Sequence, residues 1–155
     1  MAILEDISEK YKSHLKCKCE ENKCNLNLKG YRKKIILKGE KCVDNGCKIC
    51  DCLIFIHEKE DILIPIIELK SNSYKAKDVV EKFSNSLEHC EKVLSECSGN
   101  DIKFKVFLIL LAKSHRSTAE FTKIKDTKIK YKSKKYNIRC KNCGDSLKEI
   151  IQLEC

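Results

Sequence analysis

The chain has 155 residues, 42% of them hydrophobic, and a formal net charge of +9 from 32 basic and 23 acidic residues. This length and apolar content predict a single domain, residues 1–155, with one hydrophobic core. The sequence has no apolar stretch of the roughly 18 residues that a transmembrane helix needs, and its start, MAILEDISEK, lacks the layout of a secretory signal. These features argue against the membrane-spanning and secreted classes, so we expect a cytoplasmic protein without a membrane partner.

The first half of the chain predicts one helix and three strands. Apolar residues at helical spacing predict an amphipathic helix over residues 2–15, and a polar, irregular connection follows over 16–30. Strand character begins at 32–37. The run CLIFI at 52–56 is apolar throughout, which is typical of a strand covered on both faces, and ILIPIIELK at 62–70 predicts a further strand.

The second half predicts a long helix and a central strand. An apolar stripe indicates a helix over 75–97, and FKVFLILLA at 104–112 is the most hydrophobic strand of the chain. A strand, a helix and a strand in this order imply a parallel, right-handed crossover. Pro65 cannot donate to a sheet ladder, so it predicts a bulge or an exposed edge. The other expected elements are a helix near 117–125, an extended piece at 128–134, a strand near 136–141 and a short helix after Asp145. Together the elements predict an α/β fold with a mixed central sheet flanked by helices.

The two apolar strands on either side of the EKED turn predict an antiparallel hairpin. A four-residue turn places His57 opposite Ile62, and in that register Asp51 faces Glu68. Like charges so opposed destabilise a sheet, and a divalent cation such as Mg²⁺ would remove the penalty through its preference for hard oxygen ligands. Lys70 shares the face of Glu68. There its ammonium can orient an attacking water, accept its proton or stabilise a phosphorane.

The residues around this hairpin form a known pattern. CDCLIFI (50–56), followed by IIELKS (66–71) and a helix that opens with Lys75-Ala76, resembles the PD-(D/E)xK nucleases, also called the restriction-endonuclease-like superfamily. The resemblance runs from residue 2 to residue 112. It implies a restriction-endonuclease-like core in the order helix, strand, strand, strand, helix, strand. Cys50 stands where the name-giving proline of the family would precede the aspartate.

The resemblance also implies roles for individual residues. It implies a Mg²⁺- or Mn²⁺-dependent endonuclease in which Asp51, Glu68 and Lys70 are catalytic. Asp51, Glu68 and the backbone carbonyl of Leu69 would ligate the metal, and Lys70 would be the catalytic lysine. Lys82 falls near the position of a glutamine in many members, which suggests a contact with the scissile phosphate. The acid that some members supply from the first helix is not assigned to any residue.

The charge excess lies in one C-terminal segment, residues 113–141. This basic segment holds eleven basic residues against Glu120 and Asp126, a net charge of +9, and the rest of the chain holds 21 basic and 21 acidic residues. Such asymmetry favours a surface that follows the backbone of nucleic acid, with DNA expected, and a solvated lysine-rich face is the alternative. The candidate phosphate contacts in it are Lys123, Lys125, Lys128, Lys130, Lys132, Lys134 and Lys135.

The chain contains twelve cysteines. Without a secretory signal, reduced thiols are expected rather than a disulfide scaffold, although intracellular proteins of hyperthermophiles are an exception. Spacings that suit a structural zinc ion occur in Cys42, Cys47, Cys50 and Cys52, and again in Cys140-x-x-Cys143. So many cysteines also produce such spacings by chance, and structural zinc is not favoured.

Other functions stay open at this stage. The chain could be a non-catalytic, cysteine-rich nucleic-acid-binding protein whose basic segment is its whole function, or a scaffold protein of a defence or repair complex. Cleavage that depends on Mg²⁺ distinguishes the nuclease from both. We also expect a homodimer, because so short a chain has little room for a separate target-recognition domain.

Overall fold

The computed structural model describes residues 2–39, 47–71, 73–97, 103–115 and 119–152. Their elements, in chain order, are α1 (Ala2–Lys10), a 3₁₀ turn (Lys12–His14), β1 (Leu15–Lys16), β2 (Glu20–Glu21), β3 (Cys24–Asn25), β4 (Lys34–Lys38), β5 (Cys52–Glu58), β6 (Asp61–Lys70), α2 (Ala76–Cys97), β7 (Phe104–Ala112), α3 (Ala119–Asp126), β8 (Lys128–Tyr131), β9 (Lys134–Asn142) and α4 (Leu147–Gln152). None of the helices in these ranges is both long and apolar enough to cross a membrane.

The centre of the molecule is a mixed sheet of seven strands in the order β1-β4-β5-β6-β7-β9-β8. The β6–β7 and β7–β9 pairs are parallel, and the other neighbours are antiparallel. Helix α2 connects the parallel strands β6 and β7, as a crossover must. Strands β2 and β3 form a separate small hairpin. The predicted α/β class with a mixed central sheet is therefore confirmed.

The register of the β5–β6 hairpin is the predicted one. His57 lies opposite Ile62, and the same register reaches Cys52 and Ile67 at the other end of the hairpin. The paired residues on either side of Ile54 and Phe55 share one register, so the strands do not slip past each other. This register determines which residues meet where β5 begins and β6 ends.

The bulge expected at Pro65 is wrong. Strand β6 is continuous, and it lies between β5 and β7 rather than at an edge. The N–H of Ile62 donates to the Lys103 carbonyl on the side of β7, and successive N–H groups alternate in direction. The nitrogen of Pro65, three residues further on, therefore faces β5. The proline removes one hydrogen bond to β5 and leaves the parallel pairing with β7 intact, where it lies opposite Phe107.

The two faces of the sheet are covered by different elements. On one face the side chains of Phe55 and Ile64 pack against α1 and α2. On the other face Ile54 and Ile67 pack against residues 19–31 and α4. Burial on both faces explains why β5, β6 and β7 read as uninterrupted apolar runs.

The structure differs from the sequence prediction most clearly near the N-terminus. Helix α1 ends at Lys10 instead of residue 15, and the stretch 16–30 contains strands where an irregular connection was expected. Cys24 of β3 forms a disulfide with Cys143, just beyond β9, so the expectation of reduced thiols fails for this pair.

Candidate functional site

Asp51 and Glu68 meet at one end of the sheet, where β5 begins and β6 finishes. The Asp51 N–H donates to Oε1 of Glu68 at 3.3 Å, and the Leu69 N–H donates to Oδ2 of Asp51 at 2.8 Å. The two contacts follow from the hairpin register and hold the carboxylates next to each other. Their predicted proximity is confirmed, and their catalytic role stays a prediction. We call this the site end of the sheet.

The Glu68 carboxylate is fully buried and is contacted by two lysines. Nζ of Lys82 lies 2.7 Å and Nζ of Lys70 3.3 Å from Oε2 of Glu68. Lys82 lies on α2, so the helix that connects β6 to β7 covers the site. Burial lowers the pKa of Lys82, but the hydrogen bond and charge of Glu68 outweigh it, so the pKa lies above the usual value. Lys82 therefore remains a cation.

Asp51 is harder to ionise than an ordinary aspartate. Burial raises the pKa of Asp51, as do a hydrogen bond with Glu21 and the negative charge of Glu68, and together they bring it to about 8. The Leu69 N–H opposes these effects because it stabilises the carboxylate. Ionisation of Asp51 is therefore unfavourable as long as no additional cation is present.

Two residues that the sequence did not single out hold the backbone at Asp51. Oγ of the buried Ser86 accepts a hydrogen bond from the Cys50 N–H at 2.8 Å, and the Gly39 N–H donates to the Asp51 carbonyl at 2.7 Å. A Cβ on Gly39 would lie 1.6 Å from the Cys50 carbonyl oxygen. Only glycine permits this approach, so Gly39 belongs to the construction of the site. Neither contact has a signal in the sequence, because each depends on a distant partner.

A pocket of about 280 Å³ opens over these groups. Its lining residues are Glu21, Asn22, Asp51, Leu69, Lys70, Ser71, Ser73 and Lys82. Glu21 comes from the β2–β3 hairpin and was missed because that stretch was interpreted as irregular. A larger pocket of about 560 Å³ lies along residues 17–34 and Gly144, and no predicted catalytic residue lines it. The smaller pocket is therefore the one that the predicted catalytic residues Asp51 and Lys70 line.

The donors at the site fit a hard divalent cation. The carboxylates of Asp51 and Glu68 and the backbone carbonyl of Leu69 are oxygen ligands, which suit Mg²⁺ and Mn²⁺. Within the described ranges, no group of three or more His, Cys, Asp or Glu side chains is arranged to hold a metal. A carboxylate pair is nevertheless enough for Mg²⁺, which commonly keeps several waters and takes one or two carboxylates.

The structure does not bring the predicted zinc ligands together. Cys50 and Cys52 belong to different core clusters on opposite faces of the sheet, so they do not converge on one ion. Cys47 is half-buried, and Cys42 lies outside the described residues. In the other predicted zinc spacing, Cys140-x-x-Cys143, the sulfur of Cys143 is bonded to Cys24.

The lysines of the basic segment fall into two groups. Lys123 and Lys125 lie on α3, whose Glu120 accepts a hydrogen bond from the Ala76 N–H at the start of α2, close to the site end. Lys123 also pairs with Glu120, and Lys125 lies over the Phe121 ring. The second group, which we call the hairpin lysines, comprises Lys128, Lys130, Lys132, Lys134 and Lys135 on β8, β9 and the turn between them.

The hairpin lysines extend from Lys128, which pairs with Asn137 near the middle of β9, to Lys134 at the opposite end of the sheet. Cys140 of β9 is level with Glu68 through Leu110 of β7. Lys134 precedes Cys140 by six residues, so at about 3.3 Å per residue it lies about 20 Å along the sheet from the level of Glu68. Lys132 in the turn pairs with Glu91 of α2. The structure thus connects the α3 part of the basic segment to the start of α2, the helix that carries Lys82, and no described lysine of the segment lines the pocket.

The fold and site define a mixed α/β protein with a buried carboxylate–lysine cluster at one end of its sheet. No protein-family model matches the chain, and neither a curated protein nor a solved structure matches it.

Proposed function

We propose that this protein is a Mg²⁺- or Mn²⁺-dependent nuclease that hydrolyses phosphodiester bonds, with DNA as its favoured substrate. The observation that carries the proposal is the fully buried Glu68 carboxylate, placed next to Asp51 and contacted by Lys70 and Lys82 beneath an open pocket. Buried ion clusters stabilise proteins little, and shifted pKa values in a cleft are typical of functional sites.

The arrangement of elements supports the same proposal. Helix α1, the antiparallel strands β4, β5 and β6, the crossover helix α2 and the parallel strand β7 occur in the order that the resemblance to restriction-endonuclease-like proteins implies, with the short strands β1, β2 and β3 inserted between α1 and β4. The proposed catalytic residues lie where β5 begins and β6 ends, as the motif requires.

The residues of the site divide the chemistry among them. Asp51, Glu68 and the Leu69 carbonyl would hold the cation, which would supply Lewis-acid stabilisation of phosphate oxygens and activation of water. Lys82, held as an ammonium by Glu68, stabilises the negative charge that develops on the phosphorane. Lys70 lies farther from Glu68 and lines the pocket, where its ammonium orients the attacking water.

The test is cleavage of end-labelled DNA in Mg²⁺ by the wild type and by Asp51→Asn, Glu68→Gln and Lys70→Ala. We expect each change to slow cleavage by about 100-fold or more, while DNA binding without Mg²⁺ persists. Undiminished cleavage by Asp51→Asn would contradict the assignment. A wild type that binds DNA without cleaving it would favour the non-catalytic binding protein.

The chain offers matched controls on the same strands. Asp61 and Lys105 form an ion pair at 3.2 Å on β6 and β7, at the end of the sheet opposite to the site. Asp61→Asn and Lys105→Ala remove the same kinds of charge without touching the pocket. We expect both variants to cleave at the wild-type rate to within about twofold, because exposed ion pairs contribute little to the fold.

A further inference from the structure

We propose that Glu21 is a third acidic group of the cation pocket, delivered by a hairpin that the Cys24–Cys143 disulfide anchors. The inference rests on the proposed function, because the cation in question is the one that the nuclease site would bind. It adds a residue from outside the β5–β6 hairpin, on a segment that carries no recognisable motif.

Glu21 reaches the site through Asp51. The two carboxyl groups share a hydrogen bond, and both line the pocket of about 280 Å³. Its neighbour Glu20 belongs to the same two-residue strand but lines the other pocket, since successive side chains of a strand point in opposite directions. The hairpin therefore presents one glutamate to the cation pocket and turns the other away.

The charges around the pocket indicate what Glu21 contributes to cation binding. Even when Asp51 is ionised, the negative charges of Asp51 and Glu68 are cancelled by the ammonium groups of Lys70 and Lys82, which leaves little attraction for a divalent cation. Glu21 adds a negative charge beyond this balance once a cation has displaced the proton that it shares with Asp51. Because no three acidic side chains of the described residues are arranged to hold an ion directly, Glu21 acts through its charge and through the waters that such a cation keeps.

The hairpin that carries Glu21 is built to hold one position. Asn22 and Lys23 both have positive φ, 50° and 66°, which is the signature of a tight two-residue turn between strands paired at Glu21 and Cys24. Such a turn fixes the pairing on either side of it. Glu21 is therefore held in register with the next strand.

The hairpin is also anchored on both sides. Cys24 is bonded to Cys143, and the Gly144 N–H donates to the Asn25 carbonyl at 2.7 Å. On the other side, the Cys19 thiol forms a hydrogen bond with Cys52, the residue next to Asp51. These anchors place Glu21 over the pocket before any cation arrives.

The experiment is a calorimetric titration with Mn²⁺ alone, comparing the wild type with Glu21→Gln and with its matched neighbour Glu20→Gln. We expect Glu21→Gln to weaken Mn²⁺ binding by about 10-fold or more and Glu20→Gln to leave it unchanged. Equal affinities of the two variants would overturn the role of Glu21. Glu68→Gln serves as the reference for loss of a principal ligand.

The same titration separates this inference from the proposed function. If the wild type binds Mn²⁺ and Glu68→Gln does not, but Glu21→Gln matches Glu20→Gln, only the role of Glu21 fails. If the wild type does not bind Mn²⁺, both proposals fall.

Cys143→Ser tests the anchor without touching an acidic residue. Circular dichroism verifies that Cys143→Ser is folded, and we then expect it to bind Mn²⁺ as weakly as Glu21→Gln does. The double variant, Cys143→Ser with Glu21→Gln, should bind Mn²⁺ no more weakly than either single variant, because both changes act on one contact. Independent, additive losses would show that the disulfide does not act through Glu21 and would overturn that part of the proposal.

Discussion

The two ends of strand β6 carry the same kinds of charge in different surroundings. At the site end, Glu68 is 0% exposed and contacts Lys70 and Lys82, whereas at the opposite end the side chains of Asp61 and Lys105 are 32% and 60% exposed. The exposed pair is screened by water and is worth at most about 1 kcal/mol. The buried Glu68 raises the pKa of Lys82 and of its neighbour Asp51, and its charge is balanced only by the lysines that contact it. Burial, and not charge alone, distinguishes a site from a surface.

The comparison extends to the basic segment. Its exposed hairpin lysines Lys134 and Lys135 lie at the same end as Lys105, while the two ammonium groups at the site, Lys70 and Lys82, lie outside the segment. A run of charge along the chain therefore does not locate the chemistry. Under the proposed function, the hairpin lysines would contact only a nucleic acid long enough to reach from the site to the opposite end of the sheet.

The largest expected difference between the two ends is in stability. Glu68→Ala leaves two lysines without their shared carboxylate in a poorly solvated place, so we expect a loss of about 3–5 kcal/mol in the free energy of unfolding. Asp61→Ala should cost less than about 1 kcal/mol. Urea denaturation of both variants measures the difference. Similar losses in the free energy of unfolding of the two variants would mean that the protein depends no more on the ion pairs at the site end than on the exposed pair of Asp61 and Lys105.

Gly39→Ala is expected to damage the site end through the backbone. The added Cβ would lie 1.6 Å from the Cys50 carbonyl oxygen, so β4 and the Asp51 segment must separate, at a cost of about 2–3 kcal/mol and with loss of Mn²⁺ binding. Gly144→Ala is the control. It meets open space at a φ of +90°, so it should cost only the strain of that backbone conformation, about 1–2 kcal/mol, with no clash. Tight Mn²⁺ binding by Gly39→Ala would contradict the close approach.

Changes at the end of the sheet opposite to the site should affect the binding of long substrates only. The 20 Å between Lys134 and the level of Glu68 corresponds to about six nucleotide steps of 3.4 Å. Changing Lys134 and Lys135 to Glu should therefore reduce the slope of log K against log salt concentration, measured with a 20-base-pair duplex, by about one per lysine. Cleavage of a five-base-pair duplex should be unchanged.

A charge-matched double change to Glu at the exposed Lys12 and Lys33 is the control for this experiment. An equal effect of the two double variants would show that only net charge matters and that the hairpin lysines make no particular contact.

The smallest effect expected is a gain in stability at the hairpin beside the site. Lys23 has a φ of 66° and Lys132, in the β8–β9 turn, a φ of 55°, a region that glycine adopts without strain. Lys23→Gly should stabilise the protein by up to about 1 kcal/mol. Lys132→Gly should gain less, because it also removes the contact with Glu91. Thermal unfolding of both variants provides the comparison, and destabilisation by Lys23→Gly would contradict the turn geometry.

Much of the fold follows from hydrophobic pattern. The buried strands β5, β6 and β7 and the helix α2 are long and strongly patterned, and the turn after His57 determines the register that brings Asp51 to Glu68. The turn is shorter than the predicted four residues, because Glu58 also pairs with Asp61 and only Lys59 and Glu60 remain between the strands. Pro65 misled the prediction because its effect depends on which neighbour its nitrogen faces, a property that the sequence does not carry.

The rest of the site depends on contacts between distant parts of the chain. Glu21 sits on a strand of two residues, too short to show a period, and Ser86 acts through a backbone group 36 positions away. The Cys24–Cys143 bond joins residues 119 apart in a chain with twelve cysteines, among which the sequence offers no means of choosing.

The most direct test of the account is a crystal grown or soaked with Mn²⁺ and measured at a wavelength where manganese scatters anomalously. The account predicts one anomalous peak between the carboxylates of Asp51 and Glu68, about 2.1 Å from their oxygens, with Nζ of Lys82 moved away from Glu68 to make room. A peak elsewhere, or none at this position at a saturating Mn²⁺ concentration, would contradict the assignment of this end of the sheet as a metal-dependent nuclease site.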